Sequence, residues 1–196
     1  MARVKPKRHG VVTDMTAMCD VAFLLLTFFI LTTQFKKPDA EQITTPSSVS
    51  TQKLDDTNLM TISVTPDGRF FFTPTTTPSE RETVLDLMAG EYRVGFSEAQ
   101  KKAFKNASAI GVAMKQLPSY LDKPEDVRQE IKGISIPMDS VNKELTSWVK
   151  YSLQANPQAK LAIKGDAKAQ YPQFKALFDG LKEIQFYKFV LITSSE

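Results

Sequence analysis

From Val21 to Leu31 the chain reads VAFLLLTFFIL, with Thr27 its one polar side chain and a carboxylate, Asp20, directly before it. Extended to Met15 and Phe35, the stretch is 21 residues long and Asp20 is its single charge. At ~1.5 Å per residue a helix of that length covers ~31 Å, the thickness of a bilayer's hydrocarbon core. The strict apolar run is shorter, so Thr16, Thr32, Thr33 and Gln34 are expected near the two interfaces. A mean hydropathy of -0.23 over the whole chain argues against further spans.

The basic residues orient this segment. Arg3, Lys5, Lys7 and Arg8 precede it, whereas only Lys36 and Lys37 follow closely. The excess predicts a cytoplasmic N-terminus and residues 36–196 on the outer side. The net charge of +3 is mostly this topology signal: removing Arg3, Lys5, Lys7, Arg8, Asp14 and Asp20 from 25 basic and 22 acidic residues leaves 21 and 20. A nucleic-acid arm is the rival reading of RVKPKRH, and the adjacent apolar run argues against it. A cleaved signal peptide is the rival reading of the apolar run. Against it, TTQFKKP lacks a small-x-small cleavage pattern, and a carboxylate heads the apolar region. The single Cys, Cys19, lies in the segment, which leaves the outer part without thiols, as suits a bacterial periplasm.

An ionised carboxylate inside a bilayer costs about 2.5–3.5 kcal/mol on insertion scales, and is tolerated where it faces protein or water or is neutral. Such a group can carry a proton. Thr13, Asp20, Thr27 and Gln34 recur every seven residues and share one helix face. With Thr16 they form a polar seam, which suits burial inside a helix bundle better than full exposure to lipid. The competing reading places Asp20 at the interface, as an acid near a helix N-terminus.

Residues 36–58 are polar, with two Pro and many Ser and Thr, and read as an extended linker. Two β-prone runs around Thr65-Pro66-Asp67-Gly68 predict a hairpin. Thr77-Pro78-Ser79-Glu80 predicts a helix to about Ala89, ended by Gly90. The capping box Ser97-Glu98-Ala99-Gln100 predicts another, to about Leu117 before Pro118. A short helix in PEDVRQEIK and a strand in GISIP are weaker expectations. Val141, Leu145, Trp148, Val149 and Leu153 mark an amphipathic helix from about Ser140 to Ala155, ended by Asn156-Pro157. KLAIK, residues 171–184 and KFVLIT then form a β-α-β unit with parallel strands and a right-handed crossover.

The fold class expected is a single N-terminal transmembrane helix followed by a small periplasmic α+β (α/β-type) domain, with a mixed sheet and the C-terminal β-α-β unit. Its divisions are a cytoplasmic basic tail (1–14), the transmembrane helix (15–35), the linker (36–58) and the domain (59–196), with an insertion at about 74–133. Phe70-Phe71-Phe72 reads as alternation in a half-buried strand, and Trp148 and Tyr151 as core and flank. Lys164-Gly165-Asp166 lacks the surroundings of a phosphate loop. One Cys and one His leave no disulfide framework, no zinc cluster and little room for His catalysis. No catalytic constellation, cofactor motif or metal spacing stands out, so a non-enzyme is expected, without cofactor and without nucleic acid.

Taken together, these segments resemble the ExbD/TolR family of proton-driven biopolymer-transport proteins. DMTAMCDVAFLLLTFF (14–29) is similar to the family's T-P-x-x-D-V and apolar span, with Ala17 in place of the usual Pro. That departure suggests an Asp20 set deeper or more regularly in the helix. TISVTPDGRFFF resembles the family's first hairpin. ELTSWVKYSLQANPQAKLAIKGDAKAQYPQFKALFDGLKEIQFYKFVLIT (144–193) resembles its C-terminal helix, N-P, strand, Tyr-initiated helix and final strand. The likeness covers about half the chain, and the stretch at about 74–133 exceeds the compact family domain.

The resemblance implies a single-pass inner-membrane protein that works as a homodimer, with membrane lipid around it. Its helices would lie in a pentameric ring of an ExbB/TolQ-like channel protein, with Asp20 as proton carrier, and act on a TonB-like transducer for outer-membrane import. Alternatives are a TolR-type subunit for envelope integrity, and a passive single-pass anchor whose outer domain binds peptidoglycan or a protein.

Overall fold

The computed structural model describes residues 15–33, 43, 47–48, 58–75, 77–131, 134–138, 142–192 and 194–195. The chain divides into two compact units, Met1–Lys37 and Pro38–Glu196.

In the first unit, α1 runs over Met15–Thr32. It stops short of Phe35: Thr33 lies beyond the helix, and residues 34–35 lie outside the described residues. The Thr32 and Thr33 hydroxyls donate back to the carbonyls of Phe28 and Phe29, and the Phe29 carbonyl also accepts from the Thr33 N–H, so the hydroxyls add to the backbone bonds of the last turn.

The second unit is built on a mixed four-stranded sheet in the order β3-β2-β4-β5. The strands are β2 (Leu59–Val64), β3 (Phe70–Thr73), β4 (Lys160–Gly165) and β5 (Phe189–Ile192). β3 runs antiparallel to β2, whereas β2, β4 and β5 are parallel. The hairpin turn forms as its residues predict. The Gly68 N–H donates to the Thr65 carbonyl at 3.0 Å, and Gly68 takes φ +79, where a Cβ is costly. Further strands β1 (Ser47–Ser48) and β6 (Ser194–Ser195) pair in parallel. The linker expected over residues 36–58 is thus strand-paired at Ser47–Ser48, and most of the rest of it lies outside the described residues.

Register puts Met60 beside Leu161, and Ile62 beside Ile163 and Phe72. These five side chains are fully buried on one face. Helices α6 (Glu144–Ala155) and α7 (Tyr171–Glu183) cover it. Phe174 of α7 packs where a Cβ on Gly165 would stand, and Trp148 of α6 sits 6.0 Å from the Phe72 ring. The C-terminal β-α-β unit is therefore present with parallel strands. α6 begins at Glu144 rather than Ser140; residues 139–141, Val141 among them, lie outside the described residues.

Between β3 and α6 stand α2 (Pro78–Tyr92), α3 (Glu98–Asn106), a 3-10 turn at Met114–Gln116, α4 (Leu117–Leu121) and α5 (Glu125–Glu130). Four sequence expectations are corrected here. α2 continues through Gly90 to Tyr92 and ends where Arg93 adopts φ 55, with the Val94 N–H on the Ala89 carbonyl. Val94 packs against the core, and that contact sets the end of the helix. α3 opens with the expected capping box but stops at Asn106, eleven residues before Leu117. Ile110, Val112 and Met114 are buried with a period of two, the signature of extended chain rather than helix. The described part of GISIP, residues 134–137, forms no strand, although the Ile136 N–H donates to the Phe70 carbonyl. Phe70, Phe71 and Phe72 are all buried, so β3 is covered on both faces rather than half-buried.

The covering segment also closes the sheet's β3 edge. Phe72 and Ile110 exchange two backbone hydrogen bonds of 2.8 Å, and the Phe70 N–H donates to the Ser135 hydroxyl at 2.9 Å. An edge satisfied in this way cannot template another strand.

Candidate functional site

α1 carries the one acid of the apolar segment. The helix reaches 18 residues with a mean hydropathy of 2.0 in its window, long and apolar enough to cross a membrane. At ~1.5 Å per residue it covers ~27 Å. Its large apolar side chains, Val21 to Leu31, lie exposed. Asp20 falls within regular helix, two residues from Cys19's other neighbour Met18 and three from Ala17, so the absence of Pro at that position leaves the turn before it unbroken.

At ~100° per residue, Thr16, Asp20 and Thr27 fall within ~40° of one another around the axis. Thr27 lies ~10 Å further along the helix than Asp20. The Thr27 hydroxyl donates to the Leu24 carbonyl at 2.9 Å, so its proton is spent on its own helix and its oxygen remains an acceptor. Thr13 and Gln34, the outer members of the seam, lie outside the described residues. The described seam is thus one carboxylate between two hydroxyls on a helix whose other side chains, Thr32 in its last turn apart, are apolar or the thiol of Cys19.

The second unit holds polar groups that sequence reasoning missed. A clasp joins three elements at the start of β2. Asn156 donates to Asn58 and to Glu80, each at 3.1 Å, and the other Glu80 oxygen accepts from Thr75 at 2.6 Å. Arg81 is buried, and donates to the carbonyls of Thr75 (2.6 Å), Ala107 (2.6 Å) and Lys105 (3.0 Å). Glu144 is buried and accepts from the Met114 N–H at 2.8 Å. Burial pushes its carboxyl up, against the pull of that N–H and of Lys115. None has a sequence signature, because each joins residues far apart in the chain. Among the described residues no group of His, Cys, Asp and Glu is arranged to hold a metal ion.

The family model of the biopolymer transport protein ExbD/TolR matches residues 6–196, which takes in α1, the hairpin, the intervening helices and the C-terminal β-α-β unit. No curated protein and no solved structure matches the chain. The chain therefore belongs to the ExbD/TolR family, whose members are inner-membrane, energy-transducing subunits of biopolymer transport that work with ExbB/TolQ-type partners.

Proposed function

We propose that this protein is the proton-carrying subunit of an inner-membrane motor of the ExbB–ExbD type, driven by the proton-motive force, with Asp20 as the carrier. The observation that carries the reading is the lone carboxylate on the apolar helix α1 of a chain matched by the family model from residue 6 onward. A bilayer exacts a cost for that acid, and a binding partner that surrounds it removes the cost. The same partner gives α1 a reason to expose apolar side chains on every side while keeping one polar seam.

In this reading the basic N-terminus is cytoplasmic and the second unit is periplasmic. Two copies of the chain place their helices inside a pentameric ring of an ExbB/TolQ-like protein, with Thr13, Thr16, Thr27 and Gln34 along the pore-facing side. Two helices in a five-fold ring meet unlike surroundings, so one Asp20 is neutral while the other is charged. A proton crossing the membrane supplies ~2.3 kcal/mol per 100 mV, which drives the step from one arrangement to the next. The output acts on a TonB-like transducer for outer-membrane import. The helical region between β3 and α6 is an insertion relative to a compact family domain.

Asp20→Asn in the native host tests the reading, with membrane level and co-purification of the ring protein checked. Loss of energised uptake with an intact complex is the expected result. Loss of envelope integrity alone would move the protein to the TolR type. A silent substitution would leave a passive anchor and end the motor reading.

A further inference from the structure

Asp20 sits off-centre in α1, five positions after Met15 and twelve before Thr32. At ~1.5 Å per residue these are ~8 Å and ~18 Å along the axis. Over the longer side the side chains are those of Val, Ala, Phe, Leu and Ile, with one exception, Thr27. Thr27 stands ~10 Å beyond the acid, about midway to Thr32, and ~20° from it around the axis. In the proposed topology the longer side is the outer one. Thr16, one turn before Asp20, serves the shorter side.

A proton from the outer side therefore has ~18 Å of apolar helix to pass before it meets the carboxylate. It moves along connected water, and a water enclosed among alkyl and aryl groups lacks the about 2–4 polar partners that hold one in place. The Thr27 hydroxyl donates to the Leu24 carbonyl at 2.9 Å, which fixes its oxygen and leaves it an acceptor. A neighbouring water can donate one hydrogen to that oxygen. Its other hydrogen then points along the file, and its lone pairs stay open. An arriving proton binds a lone pair, and the free hydrogen leaves as a proton to the next water toward Asp20. The threonine O–H bond is neither broken nor formed. The same back-bonding turns the Thr32 and Thr33 oxygens into acceptors at the outer end of the helix.

We infer that Thr27 is a positioning residue on the outer proton path, holding the water through which protons from outside reach Asp20. The role presupposes Asp20 as the carrier, and makes the outer approach the longer and slower of the two. Thr27 carries no proton itself, which separates its part from that of Asp20. The surrounding partner then leaves room for water at the level of Thr27 rather than packing an apolar side chain against it.

Thr27→Val and Thr27→Ser in the full-length protein test this in the native host beside Asp20→Asn, with membrane level and co-purification of the ring protein checked. Valine keeps the β-branched shape and removes the oxygen, whereas serine keeps the oxygen. Asp20 and Cys19, the titratable side chains of α1, are unchanged in both. The initial rate of energised uptake is followed as the pH of the medium is lowered, each variant as a ratio to wild type. The expected result is a Thr27→Val rate about two- to tenfold below wild type near neutral pH, the worth of one hydrogen bond. The ratio should rise toward one in acid, where more protons reach the outer mouth, and Thr27→Ser should follow wild type throughout. A Thr27→Val rate equal to wild type at every pH, with Asp20→Asn inactive, overturns the role of Thr27 and leaves the carrier in place. A deficit that does not change with pH, or one shared by serine, assigns Thr27 to packing, and loss of co-purification assigns it to assembly; each overturns the proposal. An active Asp20→Asn ends the carrier reading and this role with it.

Discussion

Arg81 and Glu144 show two ways of burying a charge. Arg81 sits with the carbonyls of Lys105 and Ala107 at the C-terminal end of α3, where the helix dipole favours a cation. Arg81→Met removes the cation and leaves these acceptors buried without donors. It is expected to cost about 2–4 kcal/mol, read as a lower urea midpoint at unchanged slope. Glu144 faces the Met114 N–H and Lys115, and Tyr92 lies near enough to feel its charge. Its carboxyl is raised in the folded state, so the fold holds this proton to a higher pH than the unfolded chain does. That contribution is complete below the ordinary carboxylate range and is lost as pH rises through the folded value. Glu144→Gln cannot titrate. The wild type should therefore lose stability relative to the variant as pH rises from about 4, the ordinary carboxylate value. Urea midpoints of both proteins across that interval check the sign, and parallel pH profiles would count against the assignment.

At the scale of elements, the structure separates local from tertiary control. The hairpin was legible because Pro66-Asp67-Gly68 dictates its turn, and the C-terminal β-α-β unit because its periods change cleanly between two and 3.6. The stretch after α3 was not legible as extended chain. Ile110, Val112 and Met114 make a short apolar run that fits either period, and the partner that decides is the β3 edge, 38 residues earlier at Phe72. Gly111 is part of that docking: a Cβ there would stand 2.3 Å from the Phe71 ring. Gly111→Val is expected to destabilise by about 1–3 kcal/mol through overpacking. Gly90→Ala, in a helix interior with open space around its Cα, is expected to stabilise by about 0.5–1 kcal/mol. Thermal midpoints moving in opposite directions for this pair would check both. The end of α2 escaped sequence reading for a similar reason, since Arg93 takes the left-handed conformation that a glycine usually supplies.

For the whole molecule, the division into two units gives a separate expectation. The second unit has its own core, from Met60 and Ile62 to Leu177 and Leu181. A fragment covering residues 38–196 is expected to unfold in one cooperative step, and Asp20→Asn in the full chain should leave that transition in place. A broad, non-cooperative melt of the fragment would show that the core needs more than this unit. The candidate site divides in the same way. Asp20 stands out in the sequence because an acid in an apolar run contradicts its surroundings, and no folding is needed to see it. The clasp of Asn58, Glu80 and Asn156 is assembled from the start of β2, α2 and the end of α6, so no short stretch of sequence could announce it.

Trp148 is the chain's single tryptophan. It is fully buried, with Phe104 of α3 stacked on it at 5.8 Å and Phe72 of β3 at 6.0 Å. The protein thus carries an intrinsic fluorophore at the seam between its sheet and the helices that follow β3. Emission from the unlabelled protein reports whether that seam is shut: a red shift that precedes the loss of far-ultraviolet circular dichroism would mark these helices lifting away while the sheet persists.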